Sequence, residues 1–249
     1  MHPSPPPGVP RPTSSGHPAA TVPLYGLDIE TDTTVDGLDP SHGGVVAVGL
    51  ATPDRDEVFL GAEADILARL DRRLAELSPG VLVTWNGGSF DLPFLAARSR
   101  ATGTQLGLVL WPRIDGTAGD GVVVGDGPWP PPPDGFGGRW GAHGHLDGYR
   151  TFRADVRRSL GLSCGLKAMA RFVGMDPIEV DYDQLHHLSD HDIAAYVASD
   201  ARLACALVQR RLPAVLASVD RPSPGTTPTG ATPTGARHPV ATVPSALPG

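Results

Sequence analysis

The sequence predicts a single α/β domain, and three observations indicate this class. Three short apolar segments near the N-terminus are separated by Gly and Pro, which is typical of antiparallel strands. Strand and helix patterns then alternate along the chain, as they do in βα units. The last pattern, over residues 189–212, has the apolar period of a long helix, and Pro213 follows it directly.

Each element is predicted from the spacing of its apolar residues. A continuous apolar run indicates a buried strand, whereas apolar residues three and four apart, as from Ile66 to Leu77, indicate a helix. The predicted elements in chain order are strands at 21–30, 43–52 and 57–61, a helix at 63–77, a strand at 81–86, a helix at 91–101, a strand at 106–110, a short strand within 145–152, and helices at 153–160, 166–174 and 189–212.

Three segments lack these patterns. Residues 1–20 and 220–249 are rich in Pro, Ser, Gly and Ala, and they hold too few large apolar side chains to offset the entropy of ordering. We therefore predict disordered tails around a folded domain at 21–219. Residues 111–142 are predicted to form a long Gly/Pro-rich surface loop inserted in that domain. The loop and the tails are candidate docking segments for a protein partner.

Composition excludes several classes of protein. A net charge of -7 argues against a protein that coats nucleic acid by bulk electrostatics. Two cysteines provide neither a disulfide framework nor a four-cysteine zinc site. The sequence has neither a secretory signal pattern nor an apolar run of the roughly 20 residues that span a membrane. A cytoplasmic location is therefore expected.

Two acids interrupt the end of the first predicted strand. Asp28 and Glu30 are two residues apart, so both side chains leave the same strand face, whereas Leu27 and Ile29 on the other face are apolar. One interpretation is that the strand ends at Ile29 and the acids face solvent. The other is a paired carboxylate site at the C-terminal end of a central strand.

Further polar residues occur where apolar ones are expected. Asp200 falls on the apolar stripe of the last helix, where a carboxylate is costly unless it is paired or binds a metal, and Tyr196 precedes it by one turn. Asn86 and Asp91 flank a turn between a strand and a helix, where open α/β sheets build their sites. The alternatives are a partly exposed acid at position 200 and a simple helix cap at position 91.

Three motifs built from these residues resemble a known family. "LDIET" at 27–31, "NGGSFD" at 86–91 and "YVASD" at 196–200 resemble the three exonuclease motifs of DEDDy-type 3′–5′ exonucleases of the DEDD superfamily. The likeness is greatest to the proofreading exonuclease domains of family B DNA polymerases and their stand-alone relatives. Each motif alone is weak, but the three occur in order across almost the whole predicted domain.

The resemblance implies an RNase H-like fold, with a five-stranded mixed sheet flanked by helices. It implies a hydrolase that cleaves phosphodiester bonds at the 3′ end of nucleic acid, here single-stranded DNA, releases nucleoside 5′-monophosphates and serves in DNA repair. It also implies that two divalent cations, Mg²⁺ or Mn²⁺, are bound by four carboxylates, namely Asp28, Glu30, Asp91 and Asp200.

The remaining roles follow from the same resemblance. Tyr196 would orient the nucleophilic water, and Asn86 would hydrogen-bond near the terminal nucleotide. Leu27 and Phe90 are candidates for packing against bases or sugar. Polymerase motifs are missing, so any proofreading would occur in trans.

Other residues give weaker signals. Arg150 and Arg153 belong to an arginine cluster with interleaved aromatic residues, which suits contacts to nucleic acid but also a solvated helix face. The chain's single lysine, Lys167, precedes the place where some relatives carry an assisting lysine, so we assign it no such role. Asp147 is interpreted as a turn residue in preference to a group that supports the site.

Two rival functions stay open. One is an RNase H-like nuclease that acts on RNA or on structured nucleic acid. The other is a non-catalytic nucleic-acid-binding module with the same fold. Retention of the four carboxylates together with Tyr196 favours an enzyme over the binding module.

Overall fold

The structure, a computed structural model, describes residues 22–34, 36–114, 117–118, 129–157, 161 and 163–219. The chain divides into two compact units, Met1–Leu212 and Pro213–Gly249. Within the second unit the structure describes only residues 213–219, which end the last helix. Both predicted tails lie outside the described residues, so the boundaries at 21 and 219 stay predictions.

The described part contains eight strands that form one mixed sheet. They are β1 (Leu24–Thr31), β2 (Val45–Ala51), β3 (Asp56–Leu60), β4 (Val81–Thr84), β5 (Leu108–Ile114), β6 (Thr117–Ala118), β7 (Phe136–Trp140) and β8 (His143–Asp147). The order across the sheet is β3-β2-β1-β4-β8-β7-β5-β6. β1, β4 and β8 run parallel to one another, and the other neighbouring pairs are antiparallel.

Helices occur between and after the strands. The α-helices of the described part are α1 (Glu63–Glu76), α2 (Asp91–Thr102), α3 (Gly148–Phe152), α4 (Leu166–Phe172) and α5 (Asp190–Val219). A π-helical turn, Arg153–Arg157, follows α3, and a 3₁₀ helix, Tyr182–His187, precedes α5. Among the described residues no helix is long and apolar enough to cross a membrane.

The predicted α/β class is confirmed, but the predicted strand count is not. Strands β3-β2-β1-β4-β8 form the expected five-stranded mixed sheet, and β7, β5 and β6 extend it at the β8 edge. The prediction that residues 111–142 form a loop is wrong for the parts that belong to β5, β6 and β7. Phe136 and Trp140 of β7 are fully buried, and their burial stabilises this strand. Its two glycines break the apolar alternation by which a strand is predicted from sequence.

Side chains of β1 alternate between the two faces of the sheet. Tyr25, Leu27 and Ile29 enter the main core, which also contains the buried leucines of α1 and α2. The opposite face of β1 carries Gly26 and is covered by α5. The sheet is therefore packed between helices on both faces, as an α/β fold requires.

Helix α5 lies unusually close to β1 and β2. A Cβ added at Gly26 would clash with the carbonyl oxygen of Ala201, and one added at Gly49 would clash with that of Val197. Because only glycine leaves room for this backbone contact, the two glycines determine how near α5 comes to the strands.

Helix α5 begins as predicted and ends later than predicted. Ser189 Oγ accepts a hydrogen bond from the Asp192 N–H over 3.2 Å and donates one to Asp192 Oδ2 over 2.7 Å, so it acts as the predicted cap. The helix continues through Pro213 to Val219 instead of ending at residue 212. Pro213 leaves only the carbonyl of Gln209 without a helical donor, and Gln209 is exposed to water.

Candidate active site

Strand β1 supplies two acids to the face that α5 covers. Asp28 and Glu30 follow Gly26 on this face, because alternate residues of a strand point the same way. Asp28 is half-buried, and Glu30 is only 5% exposed. The interpretation in which the strand ends at Ile29 and both acids face solvent is therefore wrong.

Asp91 is the first residue of α2 and faces β1. The backbone N–H groups of Asp91 and Ile29 lie near its carboxyl group and oppose the rise in its pKa that burial causes. The helix cap is Phe90, which has no side-chain capping bond, so Asp91 is not the cap that the alternative interpretation required. Val83 of β4 pairs with Gly26 of β1, and this register brings the β4–α2 turn beside the acidic end of β1.

Helix α5 supplies the fourth acid. Asp200 is 6% exposed, as its position on the apolar stripe predicted, and its neighbour Ala201 contacts Gly26 of β1. Tyr196 lies one turn earlier and is half-buried.

Lys167 belongs to the same cluster, although no pattern in the sequence placed it there. Its Nζ donates a hydrogen bond to Asp200 Oδ1 and lies 4.3 Å from the centre of the Tyr196 ring. Helix α4 thus brings the one cation that touches the carboxylate of Asp200 in the described part of the chain. The lysine reaches this cluster because α4 packs back onto α5.

The four carboxylates are held in an environment that resists ionisation. Burial, followed by repulsion from Glu30, Asp91 and Asp200, raises the pKa of Asp28 well above its usual range. Burial, followed by repulsion from Asp200 and Asp91, raises the pKa of Glu30 to about 8, and burial raises that of Asp91 to about 7. Burial also raises the pKa of Asp200, although Lys167 opposes the rise.

Because the four carboxylates repel one another, they must lie close enough to interact. Among the described residues, however, no group of three or more His, Cys, Asp or Glu already stands at ligand distances around a common point. The ion pair between Lys167 and Asp200 engages one of the four acids in the present arrangement. The four acids still fit a divalent cation for two reasons. Carboxylate oxygens are hard ligands of the kind that such cations bind. Buried carboxylates that repel each other also need positive charge nearby.

The β4–α2 turn is held by a residue outside the predicted site. Asp147, at the end of β8, accepts the N–H of Asn86 at Oδ1 over 2.9 Å and the N–H of Gly88 at Oδ2 over 3.2 Å. Asn86 has a φ of 70°, a left-handed conformation that asparagine tolerates better than most residues. Asp147 is 5% exposed, so interpreting it as an ordinary turn residue missed its contact with this turn.

The turn also carries an aromatic group. Phe90 is half-buried and packs against Phe94 and Trp129, with ring centroids 5.4 and 6.2 Å away. Its partial exposure is compatible with the predicted contact to substrate. Leu27 is 0% exposed in the main core, so the prediction that it contacts substrate is corrected: its side chain leaves β1 on the face opposite Asp28.

The two predicted arginines differ in their surroundings. Arg150, in α3, is half-buried, and its Nη1 donates to the carbonyl of Asp134. Arg153 begins the π-helical turn and is exposed. Sequence reasoning missed Trp129, and it considered Lys167 only because the chain has a single lysine.

A surface cleft of about 640 Å³ lies elsewhere, at the N-terminal end of β1. Its lining includes Leu24, Arg55, Arg202 and Cys205, and it contains none of the four carboxylates. This cleft is therefore separate from the acidic cluster, which lies at the C-terminal end of β1 and forms the candidate site.

A mixed sheet that carries acids at the end of a central strand, with helices on both faces, defines the class of protein. The model of the RNase_H superfamily matches residues 26–185, well over half of the chain. The chain belongs to this superfamily.

Curated relatives and a solved structure agree with this class. The chain is 31% identical over 147 residues to the catalytic subunit of DNA polymerase epsilon from Eremothecium gossypii, and the match covers 55% of this chain and 6% of that protein. It is 29% identical over 143 residues to the corresponding catalytic subunit from Arabidopsis thaliana, and this match also covers 6% of the relative. A family B DNA polymerase from Pyrobaculum calidifontis superposes with a TM-score of 0.58 at 20% identity, over 77% of this chain and 25% of the polymerase.

The predicted resemblance to family B DNA polymerases is confirmed, and so is the RNase H-like fold. The chain spans only about a sixteenth of the polymerase epsilon subunits, which is the 6% given above. The activity of those whole proteins is therefore not carried over with the fold.

Proposed function

We propose that the chain is a metal-dependent 3′–5′ exonuclease that hydrolyses terminal phosphodiester bonds of single-stranded DNA and releases nucleoside 5′-monophosphates. The observation that carries this proposal is the meeting of four carboxylates, three of them at most 6% exposed, from β1, α2 and α5. Such a group is costly in a folded protein unless cations neutralise it. Similarity to DNA polymerases supports nucleic acid as the substrate.

The four carboxylates would hold the metal ions: Asp28, Glu30, Asp91 and Asp200. Two divalent cations, Mg²⁺ or Mn²⁺, would supply activation of a water and neutralisation of the charge on the attacking and leaving oxygens. The carboxyl protons that burial retains must leave before the acids can act as ligands.

The remaining residues would orient and bind the substrate. The Tyr196 hydroxyl, one turn from Asp200, would orient the attacking water, and Lys167 beside it would add positive charge where negative charge develops. Asn86, which is exposed at the turn, would hydrogen-bond near the terminal nucleotide, and Phe90 would pack against a base or sugar. Arg153 would contact the phosphate backbone.

A cleavage assay tests this function. Single-stranded DNA and RNA, labelled at the 3′ or the 5′ end, are incubated with the full chain in Mn²⁺, Mg²⁺ or EDTA. We expect a ladder that shortens from the 3′ end in either metal and no cleavage in EDTA. Chromatography of the product should give nucleoside 5′-monophosphates.

Matched variants separate the site from the rest of the protein. Asp28→Ala and Asp200→Ala should lower the cleavage rate by at least about 100-fold, because each removes a proposed metal ligand. Asp65→Ala removes the same charge at an exposed position of α1 and should leave the rate unchanged. A folded chain that cleaves neither polymer in any metal would contradict the proposal and favour a binding module.

A further inference from the structure

Two arginines flank the short turn before β7. Arg113, in β5, donates its backbone N–H to the carbonyl of Gly135 over 3.0 Å. Arg150, in α3, donates from Nη1 to the carbonyl of the adjacent residue, Asp134. Consecutive carbonyl groups therefore tie both residues to one turn, although Arg113 lies in the segment that the sequence predicted to be a loop.

The turn at Gly135 packs against the turn that carries the proposed catalytic residues. A Cβ added at Gly135 would lie 2.6 Å from Ser89 Oγ, so the two turns are in contact. The next residue, Phe136, donates its N–H to the carbonyl of Gly88 over 2.7 Å. The two arginines therefore lie beside the residues that lead directly into Asp91.

The described surroundings of this pair neutralise only part of its positive charge. Nε of Arg113 is shielded from water and has no hydrogen-bond partner within the part of the chain that the structure describes. Burial and the nearby charge of Arg150 both lower the pKa of Arg113. Two guanidinium groups that repel each other are stabilised by an anion between or beside them.

Among the residues that the structure describes, Asp147 is the acid that acts on both arginines, but its oxygens already accept other hydrogen bonds. They accept the backbone N–H groups of Asn86 and Gly88, and Oδ1 also lies 3.5 Å from the N–H of Arg150. The carboxylate therefore offsets part of the charge without occupying the guanidinium donors. The pair keeps the capacity to bind an anionic ligand.

We propose that Arg113 and Arg150 form a phosphate-binding subsite that takes a backbone phosphate of the bound nucleic acid strand. Arginine's planar donors match a phosphate in two-point contacts, and contacts to phosphate position a strand without reading its sequence. The subsite supplies positive charge from the protein itself, in a chain whose net charge is -7. This assignment rests on the proposed function, since it requires nucleic acid as the ligand.

Equilibrium binding tests the subsite separately from cleavage. A short, fluorescently labelled single-stranded oligonucleotide is titrated with the full chain in EDTA, and anisotropy is read at several salt concentrations. We expect Arg113→Gln and Arg150→Gln each to raise Kd about tenfold. In the double variant the slope of log K against log salt should become shallower by about 0.7, the value for one lost phosphate contact on a single strand.

Two further variants keep the test decisive. Arg72→Gln removes the same charge at an exposed position of α1 and should leave Kd and the slope unchanged. Arg113→Lys keeps the charge and loses the planar donors, so it should fold like the parent and bind with intermediate affinity. Circular dichroism melting confirms that each variant is folded.

The outcomes distinguish the subsite from the proposed function. If the folded arginine variants bind with the parental Kd and slope while the parent cleaves from the 3′ end, the subsite is wrong and the exonuclease stands. If the parent neither binds nor cleaves any oligonucleotide, both are wrong. Loss of binding in the arginine variants, with Arg72→Gln unaffected, is the expected result.

Discussion

Lys167 donates a hydrogen bond to the carboxylate of Asp200, 33 residues further along the chain. It is the only lysine in the sequence, and it is placed beside four carboxylates that repel one another. Its Nζ also lies 4.3 Å from the centre of the Tyr196 ring. A tethered ammonium group thus provides part of the positive charge that this acidic cluster needs before any metal ion binds.

Lys167 and a divalent cation should compete for Asp200. In Lys167→Met we expect Mn²⁺ to bind about five- to tenfold more tightly, because one nearby positive charge is removed. Without metal, the same variant should lose about 1–3 kcal/mol of stability, because a buried carboxylate loses its partner. Isothermal titration calorimetry and urea unfolding in EDTA measure the two effects.

Arg171→Met is the matched control for this experiment. Arg171 lies in the same helix and pairs with Glu179, but both side chains are more than half exposed. Its loss should change stability by less than about 1 kcal/mol and leave the Mn²⁺ affinity unchanged. Weaker Mn²⁺ binding by Lys167→Met would show instead that the lysine helps to organise the metal site.

Stability without metal should fall as the pH rises from about 5 to about 8. The pKa of Glu30 is raised to about 8 and that of Asp91 to about 7, whereas carboxyl groups of an unfolded chain ionise near pH 4. At these two carboxyl groups the folded state binds more protons than the unfolded state over this range, so their contribution to the free energy of unfolding decreases as the pH rises. Thermal unfolding in EDTA measures this trend.

Divalent cations should reverse the trend, because they bind the ionised carboxylates and protons compete with them. The rise in Tm on adding Mg²⁺ or Mn²⁺ should be larger at about pH 8 than at about pH 5. Glu30→Gln should flatten the pH dependence measured in EDTA. An equal metal-induced rise at both pH values would contradict the assignment of these acids as ligands.

Asp147 should act on catalysis through the turn that it holds. Asp147→Asn replaces one acceptor oxygen with a donor that faces the N–H of Asn86 or Gly88, at a cost of about 1–3 kcal/mol. Because this turn leads into Asp91, we expect the cleavage rate to fall by about 10- to 100-fold. Asp65→Asn, on exposed α1, should change neither property. Parental activity in Asp147→Asn would mean that the turn keeps its shape without these bonds.

The glycines under α5 should be needed for the position of Asp200. Gly49→Ala would drive a methyl group into the backbone of Val197 and force α5 away from the strands. We expect a loss of stability of about 2 kcal/mol or more, together with weaker Mn²⁺ binding. Gly144→Ala is the control, because no atom outside its own neighbours lies within 4 Å of the added Cβ. Calorimetry and thermal melting of the two variants compare them directly.

The sequence predicted well those features that a local pattern controls. The order of β1 to α2 follows from apolar periodicity, and the burial of Asp200 follows from its place on an apolar stripe. The Ser189 cap is equally local. Such features depend on residues within a few positions of each other, so reading along the chain finds them.

The features that the sequence did not predict depend on contacts between segments far apart along the chain. Strand β7 has the sequence "FGGRW", and it is a strand because β5 and β8 pair with it and Trp111 covers Gly137. Lys167 enters the site only because α4 packs back onto α5. Asp147 binds residues about 60 positions earlier, at separations of 61 and 59. No pattern within one window of sequence contains these relationships.

The bonds from Asp147 to the β4–α2 turn also bear on the order of folding. The turn takes its final shape only when β8 has paired with β4, and that requires closing a loop of about 60 residues, from Asn86 to Asp147. Contacts of such long sequence separation form slowly compared with helices and hairpins. We therefore expect Asp91 to reach its place beside β1 in a late step of folding, so that during refolding helical structure should recover well before metal binding does.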